Sequence, residues 1–383
     1  MVIAAPDYVT RHALAECPPG HRFSLYFDGW NANWSIGEGE KAASLRRLLK
    51  LGEGRELLDN LRSRQESLAA RFPEDRCLVV DAISTSPFST GLGNEHPIEN
   101  GFAFLSPYGL PYLAGSGVKG VLRRAAEELR DEGAAGLTSE VIDALFGPED
   151  PAALDDGPPL PDEQRRRGAL SFWDVFPDPK GGEMAVEIMT PHYGSYYQGE
   201  SSPHDAGQPV PIPFLALPQG SKFRFVVVVE PQRVPNELLP LDWKAKVGEV
   251  FKHAFAWLGF GAKTAVGYGA LAIDAEAADE RRRRAAERTE ADRLAALSQE
   301  ARQIEALRAK LEGHKGKRQP ISGQLYAELR KLLAAALELN ANWSETDRKA
   351  LADVAETLGF AKIDFQSKER EIKRQVRQLR GGS

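Results

Sequence analysis

The stretch Leu110-Pro-Tyr-Leu-Ala-Gly-Ser-Gly-Val-Lys-Gly-Val-Leu-Arg-Arg124 constrains this chain more than any other. Three glycines, Gly115, Gly117 and Gly120, run straight into a segment with helical periodicity. At about 100° per residue, Val118, Leu122, Ala125 and Leu129 share one narrow face, flanked by Lys119, Arg123 and Arg130. Such a helix docks its apolar stripe on a sheet and leaves its basic flank available. The glycines let backbone amides approach a ligand at the positive end of the helix dipole. Two readings of the motif follow: a seat for a phosphate, or a helix start packed closely on a sheet with surface cations. The spacing Gly115-x-Gly117-x-x-Gly120 formally matches a dinucleotide fingerprint, but Pro107 to Pro111 is a poor strand to precede one. A Walker A loop fails too, because Gly120 stands where Ser or Thr should follow the lysine.

A second stretch, Gly259-Phe-Gly-Ala-Lys-Thr-Ala-Val-Gly-Tyr-Gly269, follows an amphipathic segment and precedes an apolar run. It fails as a P-loop, since Trp257 and Ala262 occupy required glycine positions. Two Gly/Lys loops, neither a nucleotide loop, predict a surface that contacts a nucleic-acid backbone rather than a nucleotide pocket.

Here a resemblance becomes specific. Gly115-Ser-Gly-Val-Lys-Gly-Val-Leu-Arg123 resembles the PGSSxKGxLR signature of the CRISPR RAMP proteins, and Gly259 to Gly269 resembles their C-terminal glycine-rich loop. Four motifs, Ser89–Glu99, Gly109–Ser116, Met189–Tyr197 and Pro211–Leu215, stand in the order and spacing of the sixth subunits of the type III-B Cmr effector complex. The resemblance covers roughly residues 78–274. It implies a RAMP subunit that binds CRISPR guide RNA and target RNA beside other Cmr subunits and caps the guide's 3′ end in antiviral defence. It also implies an RNA-binding set: Gly115, Ser116, Gly117, Lys119 and Arg123 on the first loop, with Gly261, Lys263 and Thr264 on the second. His192 and Tyr193 join them, on an excursion placed where related subunits carry a base-splaying hairpin. Packing at the base of a long loop is the alternative for these aromatics. A guide must bind whatever its sequence, so contacts to phosphates suit it better than readout of base edges.

In chain order, residues 1–75 read as an N-terminal helical preface, with a strand at Arg22–Asp28 and helices at Lys41–Lys50 and Arg55–Arg71. Residues 76–275 read as the core. Strands are expected at Cys77–Ile83, Ala169–Val175, Ala185–Met189, Lys222–Glu230 and Tyr268–Ile273, and helices at Val118–Arg130, Ser139–Phe146 and Asp242–Leu258. The coarse order β-α-β-β-α-β gives an α+β class, a ferredoxin-like (RRM-like) RAMP core with long insertions. From 276 to 383 the composition shifts to Ala, Glu, Arg, Lys and Leu, which predicts an all-helical extension suited to docking on neighbouring subunits. The run Arg281–Arg284 lies among acids and reads as a solvated helix face.

The formal net charge of −6 argues against a free, nonspecific RNA binder and leaves room for one local basic face within an assembly. Cys17 and Cys77 make neither a disulfide framework nor a metal site. No run approaches the roughly 20 apolar residues needed to cross a bilayer. The expectation is therefore cytoplasmic, without a membrane partner, a metal or a cofactor.

The RNA-cleaving RAMP subunit of such complexes uses an aspartate in the loop after the first strand. That loop has Glu95, His96 and Glu99 here but no Asp, and Asp81 lies in the strand itself. The expectation is a non-catalytic protein. Two alternatives stand beside it: a RAMP endoribonuclease using His96, Glu95 or Asp81, and a pure protein-interaction scaffold, favoured by the acidic balance and the helical extension.

Overall fold

A computed structural model describes residues 2–10, 14–37, 39–151, 157–190, 211–238, 242–312, 323–338, 343–356 and 366–380. His192 and Tyr193, expected to contact RNA, lie outside these residues. The chain divides into two compact units, Met1–Asp279 and Glu280–Ser383.

The first unit is built on a four-stranded antiparallel sheet. Strand β1 (Cys77–Ser84) is followed by a short ribbon of β2 (Phe104–Leu105) and β3 (Leu110–Pro111). Then come β4 (Leu170–Phe172), a second ribbon of β5 (Ala185–Met189) and β6 (Ile212–Ala216), then β7 (Lys222–Val229) and β8 (Leu271–Ile273). The main sheet runs in the order β4-β7-β1-β8. The pairings β1–β7, β1–β8 and β4–β7 are all antiparallel, in registers that include Asp81 opposite Arg224 and Ala82 opposite Ile273.

Two helices supply the apolar layer on one face. The first core helix, Gly115–Asp131, buries Val118, Leu122, Ala125, Ala126 and Leu129, so the stripe expected from periodicity is the one that docks. The second, Trp243–His253, starts where the Asp242 side chain accepts a hydrogen bond from the Ala245 amide (3.1 Å). Alternation along β7 sends Phe223, Phe225, Val227 and Val229 into this core. The Phe225 ring lies 5.3, 5.5 and 5.1 Å from those of Phe251, Phe255 and Phe260, tying the sheet to the second helix and to the loop that follows it.

The opposite face is held by charge. Arg224 lies between Phe223 and Phe225 and so points the other way. Its guanidinium donates to the Asp81 carboxylate (2.7 Å) and meets Glu66 (3.3 Å) on the helix Gly54–Ala69. The helices expected in the preface are present at Glu40–Arg47 and Gly54–Ala69.

The strand expected at Arg22–Asp28 is absent: residues Pro19–Ser24 form a helix. Pro19 sits at the first helical position, where a missing amide costs nothing. Arg22 is buried and donates to the carbonyls of Cys17 (2.8 Å), Arg47 (2.7 Å) and Lys50, which ties this turn to the end of the Glu40–Arg47 helix. Strand β6 falls on the motif Pro211–Leu215, for which no strand is expected, and Pro213 stands inside it. The proline is tolerated because β6 lies in a two-stranded ribbon, where it pairs only with β5.

The second unit has its own apolar core. Helices Gln299–Glu312, Gly323–Leu337, Glu345–Val354 and Gln366–Leu379 bury Ile304, Leu307, Leu329, Leu333, Leu351 and Ile372 among others. The helix Ala275–Ala296, which runs across the boundary between units, buries none of its residues, and within it Arg284 pairs with Glu280.

Candidate functional site

The first Gly/Lys motif begins the first core helix, and its glycines do different things. Gly115 is buried, and an added Cβ would overlap the Phe172 carbonyl. Its amide donates to the Asp174 carboxylate (2.7 Å). At Gly115, then, the close-packing reading holds, and that amide is not available to follow RNA. Ser116 and Gly117 are exposed, and nothing lies within 4 Å of a Cβ added at Gly120.

Arg123 is also engaged within the protein. It pairs with Glu127 (2.9 Å), approaches Asp143 (3.4 Å) and donates to the Gly147 carbonyl, pinning the end of the helix Ser139–Phe146. Lys119 is different. It is half-buried and has no carboxylate within ion-pairing distance among the described residues. Burial, with the charges of Arg123 and Arg167 beside it, holds its pKa below the ordinary lysine value. A cation crowded by two others favours an anion.

The second motif is a loop closed on itself. The amides of Gly259, Phe260 and Gly269 donate to Ala254 (2.9 Å), Gly269 (2.9 Å) and Pro87 (2.8 Å), and that of Ala262 donates to Ser89 (2.7 Å). The loop is thereby sewn to the segment after β1. Gly259, Gly261, Gly267 and Gly269 all have positive φ, with Gly261 at 90° beside the Ser89 carbonyl. Lys263, not a glycine, also has positive φ (61°), a conformation that costs about 1–3 kcal/mol and is found at functional sites. The turn Thr264–Val266 closes on its carbonyl, which accepts from Val266 (3.1 Å) and Tyr268 (3.2 Å). The Lys263 ammonium lies 5.4 Å from the centre of the Phe214 ring, with no carboxylate partner among the described residues.

Phe214 belongs to β6, so this loop packs on the β5–β6 ribbon. Tyr268 completes the junction. Its ring lies 5.8 Å from that of Phe214 and its hydroxyl donates to Glu187 of β5 (3.0 Å). Burial and that carboxylate push the phenol up to about 12, so it stays protonated. The last pair of the ribbon is Met189 and Ile212. The structure thus brings Lys263 and Tyr268 onto the β5–β6 ribbon, while Gly261 packs on Phe88 and Ser89. It gives Lys119 no contact with them: Gly115 adjoins the β4 edge of the sheet, whereas the second loop leads into β8 at the other edge.

The family model of the RAMP superfamily matches residues 82–272, a span that holds both motifs and runs from within β1 to within β8 of the main sheet. The chain belongs to the RAMP superfamily. Its curated relative, the CRISPR system Cmr subunit Cmr6 of Pyrococcus furiosus, is 29% identical over 226 residues, 47% of this chain. The match spans 63% of that relative's length, under two thirds of it. Solved structures that align include the type III-B Cmr-beta complex bound to cognate target RNA (18% identity, 62% of this chain and 77% of that one, TM-score 0.38). The crystal structure of Cmr6 from P. furiosus aligns at 26% identity, 51% of this chain and 97% of that one, with TM-score 0.29. A type IV-B CRISPR complex aligns at 17% identity, 52% and 89%, with TM-score 0.31.

The RAMP core also locates the residues considered for catalysis. His96 stacks on Phe23 (3.7 Å between ring centres), and the Phe27 ring stands edge-on at 5.0 Å. Its Nδ1 accepts from the Ile98 amide (3.3 Å), so the ring proton is on Nε2, which donates to the Phe23 carbonyl (2.9 Å). Although His96 lines an open pocket of about 310 Å³ with Glu95, neither nitrogen is free for proton transfer. Glu95 is exposed, and Asp81 is buried against Arg224. No cluster of three or more His, Cys, Asp or Glu side chains suited to a metal occurs among the described residues.

Burial holds the His96 pKa below its ordinary value. The unfolded chain therefore takes up its proton first as pH falls through about 6.5, and stability drops over that window down to the lower folded value. His96→Gln keeps a donor toward Phe23 but cannot titrate. The loss of denaturation midpoint between pH 7 and pH 5 should be smaller in this variant than in wild type. An equal loss in both would show that His96 is not the group responsible.

Sequence reasoning missed Phe214, Tyr268 and Asp174 as parts of the site. Phe214 and Tyr268 sat inside motifs already singled out, and their aromatic character beside a lysine loop was the available signal. Asp174 had none, because its role depends on where β4 ends.

Proposed function

We propose that this RAMP protein is a non-catalytic, guide-RNA-binding subunit of a type III-B CRISPR effector, working with other Cmr subunits at the 3′ end of the guide, near target RNA. One observation carries the reading. The lysines of the two Gly/Lys motifs, Lys119 and Lys263, have no carboxylate partner among the described residues, whereas Arg123, beside Lys119, pairs with Glu127. The similarity to Cmr6 supports the assembly, and the hydrogen bonds that occupy His96 and Asp81 support binding without cleavage. The strand order β4-β7-β1-β8, antiparallel throughout and linked as strand, helix, strand, strand, helix, strand, supports a ferredoxin-like core.

The test is purification of tagged wild type and Lys119→Glu/Lys263→Glu from the native host, with RNA sequencing and a cleavage assay on the isolated protein. Wild type should bring down repeat-spacer guides and leave RNA intact, and the variant should lose the guide. Cleavage abolished by His96→Ala, or guide recovery equal in both proteins, would refute the reading.

A further inference from the structure

The charge of this protein is divided unequally between its two units. Met1–Asp279 has 26 Lys and Arg against 39 Asp and Glu, a net of −13, whereas Glu280–Ser383 has 23 against 16, a net of +7. The acidic total conceals a basic helical unit. Excess positive charge of this kind is the electrostatic footprint of a polyanion partner when it is gathered on one face.

Part of it lies on the last helix, Gln366–Leu379, which has five Lys and Arg against Glu369 and Glu371, a net of +3. Ile372, Val376 and Leu379 are buried in the core of the unit. On the other side of the helix Arg370, Lys373, Arg374 and Arg377 are all exposed. Their spacing of three, four and seven residues puts them within about 100° of arc and along about 10 Å of axis. Arg370, Arg374 and Arg377 have no ion-pair partner among the described residues, although Glu371 in the same helix is bonded to Arg330 (3.0 Å). The contrast with Arg281–Arg284 is instructive: there an acid precedes the run and Arg284 is neutralised by Glu280. Exposed arginines without an ion-pair partner among the described residues, on a unit of like net charge, make a basic surface. Guanidinium groups suit phosphate oxygens better than they suit solvent.

We infer that the C-terminal helical unit is a second nucleic-acid-binding surface, in which Arg370, Lys373, Arg374 and Arg377 hold the phosphate backbone of an RNA strand without regard to its sequence. The surface belongs to Glu280–Ser383 and the two Gly/Lys loops to Met1–Asp279, and the inference does not depend on the role of the loops. The amphipathic helices of this unit pack on one another, and the cationic face of the last of them is exposed.

The experiment uses the full chain and a labelled, mixed-sequence single-stranded RNA, titrated by fluorescence anisotropy at several salt concentrations. Arg370→Gln/Arg374→Gln/Arg377→Gln removes three charges and keeps good helix formers at exposed positions, so circular dichroism should be unchanged. Affinity at 0.15 M salt should fall on the order of 10- to 100-fold, and the slope of log K against log salt should shrink by about 2. The same substitutions are made on a Lys119→Gln/Lys263→Gln background. A loss in both backgrounds supports the second surface even if the lysine pair itself proves irrelevant. Unchanged affinity and slope would overturn it. So would a triple variant that keeps RNA but loses binding to an acidic protein partner, since the face would then be a protein-docking surface.

Discussion

Gly269→Ala should be among the most damaging single substitutions in the RAMP core, lowering stability by about 2–4 kcal/mol. Gly269 has φ 72°, where a side chain is strained, and an added Cβ would overlap the Phe260 carbonyl. That carbonyl cannot simply move, because the Phe260 amide donates to Gly269 (2.9 Å) and the Phe260 ring is packed on Phe225. The strain therefore passes into the loop that presents Lys263, and RNA binding should fall with stability. Gly120 is the internal control. It lies in the first core helix with open space around it, so Gly120→Ala should raise stability by about 0.5–1 kcal/mol. Denaturant unfolding of both variants checks the pair. Equal effects would mean that the glycines share one role.

Asp81→Ala separates structure from catalysis. Asp81 is 4% exposed and accepts a hydrogen bond from Arg224 at 2.7 Å. Removing the carboxylate leaves a largely buried guanidinium with Glu66 as its remaining partner of the two, and loss of one member of a buried pair costs about 3–5 kcal/mol. The denaturation midpoint should drop sharply. Were Asp81 a catalytic group instead, the variant would fold with an unchanged midpoint and lose an RNA-cleaving activity present in wild type.

Much of the fold is legible in the chain because the apolar periodicities are strong. The stripe Val118, Leu122, Ala125 and Leu129 lies where spacing puts it, and the expected strand Ala185–Met189 is β5. Local rules misled where tertiary partners decide. Arg22–Asp28 alternates like a strand, but Pro19 and the carbonyls that Arg22 bridges make a helical turn there. The motif Pro211–Leu215 carries no strand expectation, and its pairing with β5 is what makes Ile212–Ala216 a strand.

The site divides in the same way. Its motifs are visible as glycine and lysine spacing, yet spacing cannot say which glycine serves packing and which leaves backbone open. Gly115 serves Phe172 and Asp174, and Gly120 serves neither. Nor could it separate Lys119, which lacks a carboxylate partner among the described residues, from Arg123 four residues on, which has several. That distinction needs Glu127, Asp143 and Gly147 placed around the arginine.

The proposed role of Lys119 and Lys263 is to hold RNA by its phosphates. Its most direct test is the salt dependence of guide-RNA binding by wild type and Lys119→Gln/Lys263→Gln. Two lost phosphate contacts should weaken binding and reduce the slope of log K against log salt by about 1.4, whatever the guide sequence. An identical affinity and slope in the two proteins would contradict the account and move the RNA seat elsewhere.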